Sequence, residues 1–365
     1  MVTTMRYVLP RNNTLLIRGP ASLRLLNGKT TVLGAPLGRE RRLTVTPEKQ
    51  LPVEARTEAH LEIMLGKSGG VFEVEGSTIP HSWRVAADIL TGMEKGKVMV
   101  IGATDVGKST LCTYLLNTLL GRQSNLRIVD ADIGQADIGP PTTISAACPR
   151  VAILSLVDLK PEHTIFIGHT TPSPNDSKLK EGVSRLARAN PDSLTIIDTD
   201  GWIFDPLAIL YKIDLIGVIN PDLVIALAGG DELQPILAGS RSTSLSVDIA
   251  KDALARSRGD RRKIRHANYR RFLEGGKTWT ICSRDVEIVA PNDSLIIQAQ
   301  RKREFENLGV GLLDREGYML QLGILMNIEN ESVRVYSRSV DNVRRLDIGQ
   351  VRLSTSGIEL GYHEP

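Results

Sequence analysis

The residue types best able to do chemistry stand in Gly102-x-x-x-x-Gly107-Lys108-Ser109-Thr110. An apolar run at 98–101 precedes it and reads as a buried strand, and Leu111, Leu115, Leu116 and Leu119 follow at helical spacing. Strand, glycine-rich turn and helix are the setting in which such a turn cradles phosphate. Glycine tolerates positive φ and a close anion, a freedom assigned here to Gly102 and Gly107. The amides of Ala103, Thr104, Asp105 and Val106 and of the new helix N-terminus would then point at phosphate oxygens, where the helix dipole also favours negative charge. Lys108 is placed to reach the β and γ phosphates and Ser109 to bind Mg²⁺ through its hydroxyl, with Thr110 closing the motif. The pattern points to a nucleoside triphosphate.

Two carboxylates, Asp130 and Asp132, follow a second apolar run at 126–129. Period-two alternation in an extended strand would aim both at the nucleotide, one holding Mg²⁺ through water and the other approaching a substrate hydroxyl. Asp137 reads as a turn cap, and Gly134-Gln135 as a tight turn offering an amide to a phosphate or a base edge. A third apolar run, 194–197, ends in Asp198-Thr199-Asp200-Gly201-Trp202. An indole at a strand end beside phosphates can stack on a base for about 1–3 kcal/mol. Core packing between sheet and helix accounts for Trp202 equally well. Arg258, Arg261, Arg262 and Arg265 fall at i, i+3, i+4 and i+7, one stripe of a helix whose N-cap reads as Asp260. Arginines in a first turn oppose the helix dipole, and few acids stand at i±4 to balance them, so the stripe suits multiply charged phosphate. The hydroxyl- and proline-rich loop 164–174 can present groups to a substrate phosphate, and His169 within it reads as a structural hydrogen-bonder.

These groups need a scaffold that gathers strand ends. Between 94 and 283, apolar runs at 98–101, 126–129, 151–156, 164–167, 194–197 and 223–227 alternate with helical stretches. A mostly parallel sheet buried on both faces requires such runs. The expected fold class is α/β: a central P-loop domain at 94–283, flanked by small β-rich domains at 1–93 and 284–365. In the first of these, Asn27-Gly28 between 22–26 and 29–33 is hairpin turn chemistry, and 71–75 is a strand with one wet face. Residues 82–90 form a short helix capped by Ser82, with Trp83, Ala86, Ala87 and Leu90 on one face. In the last, short β runs at 286–289, 295–298, 319–325 and 333–335 are broken by turns such as 314–317.

A chain of 365 residues, 41% of them apolar, can fill such cores. Net charge is only +3, yet eight basic residues face the single acid Asp260 between 256 and 271, leaving the rest of the chain acidic. That is one concentrated basic patch and not a surface that coats nucleic acid. Cys112, Cys148 and Cys282 lie far apart, which argues against a disulfide framework or a zinc site and fits a reducing cytosol. No run of 18 apolar residues is present, so no membrane partner is expected and a cytoplasmic location is.

The ordered set Gly102 to Thr110, Asp130-Ala-Asp132-Ile-Gly-Gln135, Gly168-His-Thr-Thr-Pro-Ser-Pro174, Thr199-Asp-Gly-Trp202 and Arg261-Arg-Lys-Ile-Arg265 resembles the RNA 5′-hydroxyl polynucleotide kinase family. That family includes the kinase subunit of eukaryotic pre-mRNA cleavage factor II, ribosomal-RNA-processing kinases and archaeal counterparts. The motifs cover roughly residues 97–275, and the two flanking β regions match the family's three-part layout. The resemblance implies ATP and Mg²⁺ as cofactors, 5′-hydroxyl RNA or DNA as acceptor, and RNA-processing proteins as partners. It implies Lys108 and Asp132 as catalytic groups, Asp132 being the general base, with Ser109 and Asp130 at the metal. Thr199, Gly201 and Trp202 match a clasp that grips the nucleic acid. Arg261 and Arg265 match the spaced pair of a lid, about 256–272, that closes over the triphosphate. Gln135, Arg258 and Arg262 are assigned to the nucleic acid. Two rivals are a catalytically silent ATP-binding scaffold, disfavoured by retention of Asp132 and the lid arginines, and a regulatory GTPase, disfavoured by the lack of an Asn-Lys-x-Asp motif.

Overall fold

The computed structural model describes residues 3–47, 49–123, 125–173, 176–290, 305–329 and 331–363. The strand expected at 295–298, and Pro174 of the 164–174 loop, lie outside the described residues.

Apolar runs buried on both faces build a central seven-stranded sheet. Its order is His163–Phe166, Thr143–Ala147, Leu126–Ala131, Leu194–Thr199, Gly96–Gly102, Leu223–Leu227, Ser244–Val247. The last five strands pair parallel, while Thr143–Ala147 pairs antiparallel to both neighbours. Alternation along the strand divides the core. Val98 and Val100 pack with helices His81–Thr91 and Lys108–Leu119 on one face, and Met99 and Ile101 with Asp176–Arg188 and Pro206–Ile219 on the other.

The expected strand at 151–156 is absent: the chain there is irregular and turns through Leu156–Asp158, with Val151 70% exposed. The strand is instead Thr143–Ala147, every residue buried. Its hydroxyls hide it from a reading of apolar runs, yet they are satisfied inside. Thr143 donates to the Pro140 carbonyl at 2.7 Å, and Ser145 and Thr164 hydroxyls pair at 3.0 Å.

Before this sheet, residues 3–74 form two small antiparallel sheets. Asn27-Gly28 is a turn, with Gly28 at φ +91°, but not a hairpin. Ala21–Asn27 and Thr30–Val32 enter different sheets, and a Cβ on Gly28 would lie 2.2 Å from the Glu58 carbonyl oxygen. The helix His81–Thr91 buries Trp83, Ala86, Ala87 and Leu90 as expected, although Pro80 and not Ser82 stands at its N-cap. The Ser82 hydroxyl donates instead to the Asp248 carboxylate at 2.7 Å and accepts from the Asp248 amide, tying the helix to the end of Ser244–Val247. After the central sheet, Lys277–Cys282 already belongs to the C-terminal sheet, pairing with Ser332–Ser337, so that sheet begins before residue 284. The turn at 314–317 joins Leu308–Leu313 to Met319–Ile328, with Gly317 at φ +81° and the Asp314 carboxylate accepting from the Glu316 and Tyr318 amides. Among the described residues no helix is long and apolar enough to cross a membrane.

Trp83 is 1% exposed and its indole donates to the Asp248 carbonyl at 2.8 Å, so it joins the first helix to the edge of the central sheet. Trp83→Ala is expected to cost about 3–5 kcal/mol of stability, read from urea denaturation, through the cavity and the abandoned carbonyl.

Candidate functional site

The P-loop joins strand Gly96–Gly102 to helix Lys108–Leu119. Its two glycines do different work. Gly107, the helix N-cap, is left-handed at φ +100°, as expected. Gly102 is not at positive φ. It is glycine because a Cβ there would lie 2.6 Å from the Leu227 carbonyl oxygen of the neighbouring strand. Asp105 also takes positive φ, at +63°. Lys108 is buried and donates to the Ala103 carbonyl at 2.8 Å, folded over the loop that Ala103, Thr104, Val106, Ser109 and Thr110 complete. A cavity of about 460 Å³ opens above it, walled by the P-loop, by Asp132 and Gln135, and by Thr46, Lys49 and Gln50 of the N-terminal sheets.

The neighbouring strand ends supply four acids in four different states. Asp130 is buried, with one carboxylate oxygen accepting from the Asp137 and Ile138 amides at 2.7 and 3.0 Å and the other from the Asp132 amide at 3.2 Å. It anchors the following turn. The sequence expects it at a metal; here backbone donors reach both of its oxygens and it is absent from the cavity lining. Strand Leu126–Ala131 ends before Asp132, so the two acids do not share a face by alternation. Asp132 instead lines the cavity, its Oδ1 pinned by the Gly134 and Gln135 amides at 3.1 and 2.9 Å. Desolvation raises its pKa, opposed chiefly by the Lys108 charge. Asp200 is paired with Lys212, fully buried, at 2.8 Å and accepts from the Tyr211 hydroxyl. Asp198 is 1% exposed, and among the described residues no backbone amide meets either of its oxygens. Burial pushes it up to about 7, against the pull of Lys108 and the Ser109 hydroxyl.

The Asp200–Lys212 pair sets the turn that follows. Asp200 accepts from the Trp202 amide at 3.0 Å, and a Cβ on Gly201 would lie 2.5 Å from the Thr104 backbone, so only glycine lets this turn touch the P-loop. Thr199 departs from expectation: it is fully buried and its hydroxyl donates to the Val100 carbonyl at 2.8 Å, which binds strand to strand and leaves nothing for a nucleic acid. Trp202 is half-buried, its ring 5.8 Å from that of Tyr211.

Helix Arg258–Leu273 occupies most of the stretch, about 256–272, expected to form a lid. Its N-cap is Ser257, with Asp260 at the third position completing a capping box, in place of the expected Asp260 cap. Its arginines do not act as one stripe. Arg261 bonds Asp105 of the P-loop at 2.8 Å, beside Arg256. Arg265 makes a two-pronged pair with buried Glu359 at 2.6 and 2.9 Å, and Arg262 donates to the Glu359 carbonyl. Arg258 is exposed. Arg265 is therefore held by the C-terminal sheet and not over the P-loop, and Arg262 is held there too. Gln135 turns its amide toward Gly134 and the Arg261 carbonyl, against the lid backbone. His169 accepts from the Thr171 amide at 3.0 Å and packs near Tyr362, the structural role expected of it.

Comparison with known proteins gives the chain's relatives. A profile for the mRNA cleavage and polyadenylation factor CLP1 P-loop matches residues 102–275. A polyribonucleotide 5′-hydroxyl-kinase of Pyrococcus furiosus is 31% identical over 329 residues, spanning 75% of this chain and 92% of the relative. The chain belongs to the CLP1 P-loop family. A polyribonucleotide 5′-hydroxyl-kinase of Methanocaldococcus jannaschii is 28% identical over 322 residues, 73% of this chain and 89% of its own. Clp1p in a solved Clp1p–Pcf11p complex superposes with a TM-score of 0.72 over 96% of this chain and 98% of its own, at 14% identity.

As a CLP1-family site, this one contains groups that motif reading passes over. Lys49 and Gln50 reach the cavity from a separate sheet, and Glu359 comes from the far end of the chain, so neither carries a local signal. Asp198 and Lys212 were visible only as a strand end and a helix residue. Trp202 is half-buried, packed on the core and near Tyr211, so part of the indole is exposed. Trp202→Ala is expected to raise KM for an oligonucleotide by about 10-fold, the lower end of stacking, while KM for ATP stays near wild type. Trp202→Phe should retain most of the oligonucleotide affinity, with both KM values taken from steady-state titrations.

Proposed function

We propose that this chain transfers the γ-phosphate of ATP to the 5′-hydroxyl end of RNA, with DNA ends as a second acceptor, and acts with RNA-processing proteins. The observation that carries the reading is Asp132. It lines the same cavity as Lys108 and Ser109, with one oxygen fixed by two amides and so held in orientation. A scaffold that only bound ATP would have no use for such a group.

In this reading Asp132 accepts the proton of the 5′-hydroxyl as that oxygen bonds to the γ-phosphorus and the bond to the β–γ bridging oxygen breaks. Lys108 leaves the Ala103 carbonyl for the phosphates, and the loop amides meet their oxygens. The residues fit Mg²⁺: Ser109 offers a hydroxyl, and the adjacent strand ends hold buried acids in excess of Lys108, the cation among them that Asp200 does not already claim. When bound, the ion would neutralise charge on the β and γ phosphates. Arg261, already at the P-loop through Asp105, is the lid arginine placed to meet the triphosphate, and γ-phosphate competes with Asp105 for it. The half-exposed face of Trp202 receives a base near the 5′ end. Three unbridged cysteines support a cytoplasmic location.

With labelled ATP and 5′-hydroxyl RNA, Asp132→Asn is expected to lose about 10²–10⁴-fold in kcat while keeping ATP affinity. Transfer by this variant at the wild-type rate would remove the proposed base. The lid arginines should separate. Arg261→Ala is expected to lose about 10²-fold in kcat with little change in melting temperature. Arg265→Ala, which strands a buried Glu359, should cost about 3 kcal/mol of stability in urea denaturation.

A further inference from the structure

We propose that Asp198, and not Asp130, is the carboxylate that holds the water shell of the divalent cation bound beside Ser109. The inference rests on the kinase reading above and names the metal-positioning residue of that site.

Three observations carry it. The first is topology. Leu194–Thr199 is the strand directly beside the P-loop strand, with Val100 and Asp198 in register, whereas Leu126–Ala131 is one strand further away. An acid on the adjacent strand end stands nearer the residue after the P-loop lysine. The second is hydrogen bonding. Asp130 accepts from three backbone amides, while among the described residues no backbone amide meets either oxygen of buried Asp198, on which only the Ser109 hydroxyl and the Lys108 charge pull. A buried carboxylate left so costs free energy unless a ligand meets it, and ordered waters on a cation would meet both oxygens.

The third is charge. In register across the sheet, Asp198 faces Asp130, and Asp132 lies just beyond. Asp200 is already paired with Lys212, and Lys108 bonds a carbonyl. A divalent cation restores the balance. Among the described residues no three ligating side chains cluster to grip it directly. That suits Mg²⁺, which keeps several waters and takes phosphate oxygens with one or two protein groups.

The test is binding and not turnover. Affinity for a non-hydrolysable ATP analogue is measured in EDTA, and Mn²⁺ affinity in the presence of that analogue is read by electron paramagnetic resonance. Asp198→Asn, nearly isosteric, is expected to weaken Mn²⁺ about 10–100-fold and leave the analogue's affinity in EDTA unchanged. Asp198→Ser, smaller and uncharged, should do the same and serves if the first variant fails to fold. Asp130→Asn is expected to lower the melting temperature and to keep Mn²⁺ affinity at temperatures where it is folded. Wild-type Mn²⁺ affinity in the folded Asp198 variants, or its loss in folded Asp130→Asn, would overturn the assignment while leaving the kinase reading standing. Failure of the wild-type protein to bind the analogue at all would overturn both.

Discussion

Val100, Asp198 and Asp130 stand side by side across three parallel strands, and the chemistry of this protein hangs on that register. Parallel strands bring their C-terminal ends to one edge of the sheet, so every loop that leaves this edge starts from the same place. The P-loop, the turn carrying Asp132 and the turn carrying Trp202 all do so. The same register gathers carboxylates in a buried place, where each must be satisfied or neutralised. Asp130 is satisfied by backbone amides, Asp200 by Lys212 and Tyr211, and Asp132 by two amides and the open cavity. Asp132, at the cavity, and Asp198, beside Ser109, are the two of the four left for what binds.

The satisfied acids then shape the site. Asp130 grips the Asp137 and Ile138 amides, which shapes the 130–138 turn, and helix Arg258–Leu273 docks on it. Asn268 donates to the Ala136 carbonyl at 2.7 Å, and Arg271 to the Asp137 and Ile138 carbonyls. The opposite side of the lid is held by Glu359 of the C-terminal sheet through Arg262 and Arg265. Toward the P-loop the helix presents Arg261, bonded to Asp105, and Ile264, which lines the cavity. The C-terminal sheet thus holds this helix through Glu359 at one side while Asp105 holds it through Arg261 at the other.

The N-terminal sheets complete the cavity from the other side. Lys49 approaches Ser155 at 3.3 Å and Asp137 at 3.7 Å, which ties the N-terminal wall to the same turn that Asp130 organises. One buried carboxylate therefore connects all three layers of the structure that meet at the nucleotide cavity.

The local arrangement of strand, glycine-rich turn and helix was legible in the amino-acid order because its physics is local. Gly107 needs positive φ, Lys108 and Ser109 follow it directly, and the flanking apolar periods are those of a buried strand and a helix. The α/β class, most of the strands along the chain and the family came with them, while Thr143–Ala147 and Ser244–Val247 did not. What only the tertiary structure decided is which strand lies next to which. Asp130 and Asp198 look alike in the chain, each at the end of an apolar run. Their environments diverge because one strand end is followed by a turn whose amides fold back on it, while the other abuts Ser109. Thr199 and Arg265 have partners the chain order does not show: Val100 and Glu359 lie about a hundred residues away, the first brought near by strand pairing and the second by packing of the helix on the C-terminal sheet. The strand Thr143–Ala147 shows the limit most plainly, since hydroxyls read as surface residues until cross-strand partners bury them.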